Sequence, residues 1–489
     1  MLMYTIMHIS DLHRSEAAYI SNGELLSCLL ADYQRFQEES PAISFPNAII
    51  VTGDLIQGLP LGSSDYPAKL ASQYDVALEL MIGLVENFLD GDRSRLIIAP
   101  GNHDVDWNMA FQSMRRVEHN GKQVSKLLAL PDSCYRWSWD TLELLQITNQ
   151  TMYNERFTYF CEFYKEFYDG VSLAFVVDPT RAWNLFELDD GRIAVCTFNS
   201  CANNDCFNTI GEISADAIAQ SHMELLAIRR GYSLRMAIWH HDVQGPPRRS
   251  DYVDADSIKL MIDKGYRIGM HGHRHRADAS PLSVYASGRH SMSVVGAGSL
   301  CAGPNELPIG VNRQYNIIEI YDNYTTGRLH VREMFTSGIF TRGRLTALGG
   351  TSHVDLEWST TPPAPMVNTG RSGGHVLAKV ERIETLIKAK ECSEAVSLIE
   401  RDTDIPSDYR RKLMSEALFE GQMWEKLSQH LRKPLDSQEL AYSLRAKAEI
   451  KDWPGGEAIL REVTAAGLIP RITISEIEGW FRAEKGISG

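Results

Sequence analysis

Short apolar runs punctuate roughly the first 340 residues, each ending in a polar turn, with helix-spaced apolar positions between them. The pattern predicts strands at Tyr4–Ile9, Ala48–Thr52, Leu96–Ala99, Ile193–Phe198, Arg235–Trp239, Tyr266–Met270 and Ser293–Gly296. Strands alternating with helices imply α/β layers. The first three strands, and those at Arg235 and Tyr266, run directly into turns rich in His, Asp or Asn. Carboxyl ends of neighbouring strands meet on one rim of a sheet, where open α/β sheets place ligands.

Two regions break this rhythm. Residues 105–190 form a long insertion rich in aromatics, including Trp107, Trp137, Trp139, Tyr153, Phe157, Phe160, Tyr164, Phe167 and Tyr168. Phe157, Phe160, Tyr164 and Phe167 have helical spacing, which suits a helix packed on the core and equally a cap whose rings line a substrate cleft. Near residue 345 the texture turns to Gly, Thr, Ser and Pro, so 346–374 reads as a linker between a domain at 1–345 and an all-helical one at 375–489. Helices are expected at Val376–Lys390, Cys392–Arg401, Pro406–Glu420, Trp424–Leu431, Ser437–Ile450, Gly455–Ala465 and Ile474–Lys485. Such lengths with short breaks suggest stacked, repeat-like helical hairpins.

Composition narrows the class. The 489 residues are 44% hydrophobic and 23% charged, a globular balance. No apolar run approaches the ~18 residues of a membrane span, and the N-terminus lacks the basic region of a signal peptide. The eight cysteines include no Cys-x-x-Cys pair, and free thiols in a reducing compartment are expected, hence a cytoplasmic location. Residues 371–489 carry 19 Lys+Arg against 20 Asp+Glu, and residues 1–370 carry 30 against 43, so nearly all of the net charge of −14 lies in the first domain. A field of that sign repels polyanions, which disfavours nucleic acid without forbidding it.

Five blocks carry candidate chemistry: Ser10-Asp11-Leu12-His13, Thr52-Gly53-Asp54, Pro100-Gly101-Asn102-His103-Asp104, Trp239-His240-His241 and Gly272-His273-Arg274-His275. Carboxylate oxygen with imidazole nitrogen suits Mn²⁺, Fe or Zn²⁺. The glycines at 53, 101 and 272 read as tight turns. In this order and approximate spacing the blocks resemble the calcineurin-like metallophosphoesterase family, over roughly residues 1–340. The resemblance implies a four-layer α/β/β/α sandwich and two divalent metal ions (Mn, Fe or Zn). It implies that Asp54 bridges them, that Asp11, His13 and His275 complete one, and that Asn102, His240 and His273 complete the other. It implies hydrolysis of a phosphoester by a hydroxide that both ions activate. His103 would face the substrate and serve the leaving oxygen.

Departures from the family pattern shape the expected subclass. Position 57 is Gln, where the Ser/Thr protein phosphatases carry Asp and Mre11-type nucleases carry His, so Asp104 or another residue is expected to orient His103. Arg14, Arg248 and Arg274 crowd the motifs and are candidate substrate-phosphate ligands, with solvated loop charge as the plain alternative. The first expectation is a phosphodiesterase for a nucleotide or other small phosphoester. The alternatives are a DNA nuclease working with a partner protein, in genome maintenance or phage defence, and a metal-bound scaffold that binds partners through its helical tail.

Overall fold

In the computed structural model the described residues are 4–119, 124–128, 133–243, 251–285, 289–303, 306–308, 311–335, 338–345, 350–358, 379, 382–383, 385–387, 389–401, 405, 407–466 and 471–488. They contain strands β1 (Tyr4–Ile9), β2 (Ala48–Thr52), β3 (Leu96–Ala99), β4 (Met114–Val117), β5 (Tyr135–Ser138), β6 (Glu143–Ile147), β7 (Trp183–Leu188), β8 (Ile193–Phe198), β9 (Leu234–Ile238), β10 (Ile268–His271), β11 (Asp278–Tyr285), β12 (Arg289–Gly296), β13 (Gln314–Ile320), β14 (Thr326–Met334), β15 (Phe340–Arg342) and β16 (His353–Glu357).

Runs such as Ala48-Ile49-Ile50-Val51 are buried on both faces, as strands inside a layered sheet must be. β1, β2 and β3 pair in parallel, with Ile6 opposite Ala48 and Ile49 opposite Leu96. The first sheet has the order β15-β14-β13-β1-β2-β3, and the second β11-β12-β10-β9-β8-β7. One core joins the sheets, with Ile6, Val51 and Ile98 from the first and Val195, Met236 and Met270 from the second. The other face of the second sheet is covered by the helices Ala215–Ala227 and Ala255–Asp263, through Ile218, Leu225, Ile258 and Ile262. Helices Asn22–Tyr33 and Tyr66–Phe88 bury Leu25, Leu29, Leu80 and Leu84 in the shared core. The layers therefore run α/β/β/α, as expected.

The insertion differs from its sequence reading. Residues 183–188 are not insertion but β7, the edge strand of the second sheet, paired antiparallel with β8. β4, β6 and β5 form a small antiparallel sheet of their own. The aromatic helix Thr158–Tyr168 packs on the core: Phe160, Phe163, Tyr164 and Phe167 are all at most 3% exposed. Of the four helically spaced rings, Phe160, Tyr164 and Phe167 join the core and Phe157 is partly buried against it, the contacts of a helix packed on the core.

The linker begins later than the texture change suggests. β16, inside the expected 346–374 linker, pairs antiparallel with β14, and Trp358 is 1% exposed with its indole N–H donating to the Tyr324 carbonyl at 2.7 Å. Most of the remaining linker, and much of the helix expected at Val376–Lys390, lie outside the described residues. Beyond them, helices at Cys392–Arg401, Ser407–Glu420, Trp424–His430, Ser437–Glu449, Trp453–Ala466 and Arg471–Ser488 form a separate all-helical region. It has two apolar clusters, one around Ile399, Leu413 and Leu427 and one around Leu444, Leu460 and Phe481. Among the described residues no helix is long and apolar enough to cross a membrane.

Candidate metal centre

All five sequence blocks follow the carboxyl ends of strands: β1, β2 and β3 in the first sheet, β9 and β10 in the second. Parallel pairing turns these ends the same way within each sheet. Backbone hydrogen bonds then zip the loops together. Asp11 N–H donates to Gly53 O at 3.1 Å, His13 N–H to Asp54 O at 3.0 Å and Gly272 N–H to His240 O at 2.9 Å. The approach leaves no room for side chains. A Cβ on Gly101 would lie 2.1 Å from Asp54 N, and one on Gly272 would lie 1.8 Å from Ser10 Oγ. Gly101 itself is extended, with φ −114°, so its role is this contact rather than the tight turn inferred from sequence.

Five of the seven expected ligands sit in the left-handed region: Asp11 (φ 51°), His13 (44°), Asp54 (51°), His273 (73°) and His275 (52°). Each such residue costs on the order of 1 kcal/mol or more, and strain of this kind gathers at functional sites.

The side chains meet in two groups that share Asp54. In the first, one ligand atom from each of Asp11, His13, Asp54 and His275 lies within 4.8 Å of all the others. His13 Nε2 is 3.0 Å from His275 Nε2, and His275 Nε2 is 3.3 Å from Asp11 Oδ1. In the second, Asn102 Oδ1 is 2.9 Å from His240 Nε2 and 3.0 Å from His273 Nδ1. Asp54 Oδ2 faces both groups, at 4.0 Å from His13 Nε2 and 3.3 Å from His240 Nε2, while Asp54 Oδ1 accepts from the His103 N–H at 2.8 Å.

Outer partners fix which nitrogen points inward. The Thr52 carbonyl takes His240 Nδ1–H at 2.7 Å, and the Glu306 carbonyl takes His275 Nδ1–H at 2.8 Å. Asp251 Oδ2 stands 3.5 Å from His273 Nε2. A carbonyl only accepts, so a neutral His240 or His275 must turn the Nε2 lone pair inward, toward other acceptors. Acceptors facing acceptors at about 3 Å repel unless a cation lies between them. That donor set, with two carboxylates, one amide oxygen and four imidazoles, fits two divalent ions with mixed N/O ligands.

Titration behaviour carries the same demand for positive charge. Burial alone would lower the pKa values of His240 and His275, but Asp54 holds the first at about 9 and Asp11 holds the second at about 9. Burial raises the Asp11 and Asp54 carboxyls, yet the neighbouring histidines hold both well below the usual carboxylate range. Protons thus occupy positions that cations would take, and metal loading would release them.

The remaining candidates divide. The His103 ring is 4.7 Å from the His13 ring, and its Nδ1 is 2.6 Å from the Gln57 carbonyl, so the backbone of residue 57 orients it. Asp104 does not. Its carboxylate is buried and accepts from Gly101 N–H at 2.8 Å, from Leu55 N–H at 3.2 Å and from the Tyr74 hydroxyl at 3.2 Å, clamping the Asp54 loop to the Asn102 loop. Burial, then the Asp54 charge, raises its pKa to about 7. Arg14 is 1% exposed and donates to the Ile20 carbonyl at 2.8 Å, a position closed to substrate. Arg274 Nε lies 3.4 Å from Asp242 Oδ2. Arg248 lies outside the described residues. His241 is buried beside the cluster, its ring 4.8 Å from that of His273 and its Nδ1 2.9 Å from Ser200 Oγ. Sequence reasoning missed Asp251 and Glu306. Asp251 follows the fourth block by ten residues, and Glu306 lies beyond the last, so no motif spacing marked either.

A family profile, calcineurin-like phosphoesterase, matches residues 4–277, more than half of the chain. The chain belongs to the calcineurin-like phosphoesterase family. No curated protein matches it in sequence. Similar solved structures include a dimetal phosphatase from Danio rerio, 10% identical, covering 73% of this chain and 99% of that one at a TM-score of 0.37. Another is the calcineurin-like phosphoesterase YfkN from Bacillus subtilis, 12% identical, covering 78% and 96% at 0.31. A third is a 5'-nucleotidase from Candida albicans, 12% identical, covering 79% and 57% at 0.31. Within this family, the seven clustered side chains are the candidate metal ligands of the chain.

Proposed function

We propose that the chain is a two-metal phosphodiesterase for a nucleotide or another small phosphoester. The observation that carries this reading is the shared Asp54 carboxylate, which faces both ligand groups at once. Asp11, His13, Asp54 and His275 would hold one divalent ion, and Asp54, Asn102, His240 and His273 the other. When bound, the pair supplies an acidified water and positive charge for the phosphate oxygens. The chain's own residues do the rest. The Thr52, Glu306 and Asp251 acceptors keep the ligand rings in register. His103, with Nδ1–H given to the Gln57 carbonyl, has Nε2 left to hold a proton for the leaving oxygen. Trp107 brings an aromatic face to the site, its ring 6.4 Å from that of His103, which suits stacking on a base. The acidic first domain favours a small anion over a long polyanion.

The test is a substrate panel on Mn²⁺-loaded protein, spanning cyclic nucleotides, dinucleotides, glycerophosphodiesters, oligonucleotides and a phosphomonoester. Turnover concentrated on small diesters supports the reading. Turnover confined to oligonucleotides, or none with metal bound, sinks it.

A further inference from the structure

The Gln57 carbonyl orients His103, and the Gln57 side chain has a second task. Gln57 Nε2 donates to Glu306 Oε1 at 2.7 Å, joining the loop after β2 to the loop after β12. Gly303 N–H donates to Glu306 Oε2 at 2.7 Å. Each carboxylate oxygen therefore has one neutral donor, which fixes the group in place without cancelling its charge. Glu306 is also tied to the centre itself, because its carbonyl accepts His275 Nδ1–H at 2.8 Å. The residue is solvent-exposed and touches His275, which places it at the rim of the centre.

We propose that Glu306 is a specificity-determining residue, selecting singly charged phosphodiesters over dianionic phosphomonoesters at this centre. This rests on the phosphoesterase reading above. The physical basis is charge. Two metal ions attract both esters, but a fixed rim carboxylate opposes each unit of substrate charge separately. A monoester carries about two charges at pH 8 and a diester one, so the monoester meets twice the repulsion. At a partly screened rim, one unit of charge changes binding by roughly 3–10-fold. Arg14, the nearest motif arginine in sequence to His13, is buried and donates to the Ile20 carbonyl.

The test is Glu306→Gln in the full chain, loaded with Mn²⁺. The substitution keeps the side-chain length and removes the charge. Expected is a rise of about 3–10-fold in the ratio of kcat/KM for p-nitrophenyl phosphate over bis(p-nitrophenyl) phosphate. Calorimetric titration with inorganic phosphate at pH 8, close to a dianion, should tighten by about 10–100-fold, and titration with the monoanion dimethyl phosphate by about 3–10-fold. Glu306→Lys should move both readouts further in the same direction. An unchanged ratio, or an equal loss on both esters with unchanged phosphate binding, would overturn the proposal and leave Glu306 as a loop tie. If the wild-type protein hydrolyses neither ester, the phosphoesterase reading fails, while the phosphate and dimethyl phosphate titrations still decide the role of Glu306.

Discussion

Replacing Asp104 separates a clamp from a catalytic group. Its carboxylate is the acceptor for two backbone N–H groups and a phenol, all buried. Asp104→Ala leaves the Gly101 and Leu55 N–H groups without a partner, at about 1–3 kcal/mol each, and the Tyr74 hydroxyl with only the Asp104 carbonyl at 3.4 Å, so the loss is about 2–6 kcal/mol. That is a large share of a typical domain's stability and should lower the Tm by ~10 °C or more. Asp104→Asn is different. The amide oxygen can hold Gly101 N–H and Leu55 N–H, and the Tyr74 hydroxyl can turn to accept from the amide. Its loss should stay under about 1.5 kcal/mol, with turnover on a chromogenic diester within a few-fold of wild type.

The two proteins should also differ with pH when metal-free. The Asp104 pKa is raised to about 7 by burial and then by the Asp54 charge, against an unfolded value of about 3.9. Between those values the folded state holds a proton that the unfolded state has lost. Wild-type stability is therefore fully present below the unfolded value and falls as pH rises toward 7, by up to about 1.4 kcal/mol per unit. Asp104→Asn lacks this slope, so thermal unfolding followed by circular dichroism should show it gaining on wild type from pH 5 to pH 8. A turnover loss of ~10² or more in Asp104→Asn with an unchanged Tm would refute the clamp and return Asp104 to catalysis.

Other expectations follow from the same geometry. His103→Ala should retain bound metal and lose ~10²–10⁴ in turnover, and loss of metal on elemental analysis would contradict its assignment. Asp251→Ala should weaken metal binding by about 10–100-fold, because the His273 ring loses its outer partner, whereas an unaltered metal titration would show that Asp251 does not position it. A chain ending at residue 358 should stay folded, while one ending at 345 should not. The shorter chain loses β16 and the buried Trp358, and loss of a buried Trp side chain alone removes about 3–5 kcal/mol. Equal melting of the two chains would show that the sheet does not need its last strand.

The sequence carried the centre well and its surroundings poorly. β1, β2, β3 and β8 were legible to the residue because their apolar runs are buried on both faces, and the first three also end in distinctive turns. The five blocks were legible because metal chemistry restricts the residue types. β7 was hidden among the aromatics of the insertion, and β16 among the polar residues before the prolines, because edge strands lack an all-apolar signature. Asp104 misled for a different reason. A carboxylate beside a candidate catalytic histidine in sequence can point away from it, and here the Gln57 carbonyl supplies the partner instead. Carbonyl acceptors such as those of Thr52 and Glu306 leave no mark on residue identity, so no motif could reveal them.

Metal stoichiometry after dialysis against Mn²⁺ tests the central claim most directly. Wild type should retain two ions per chain, His275→Ala and His240→Ala about one each, and Asp54→Ala close to none. An Asp54→Ala protein that is folded and still holds two ions would contradict a centre built around that shared carboxylate.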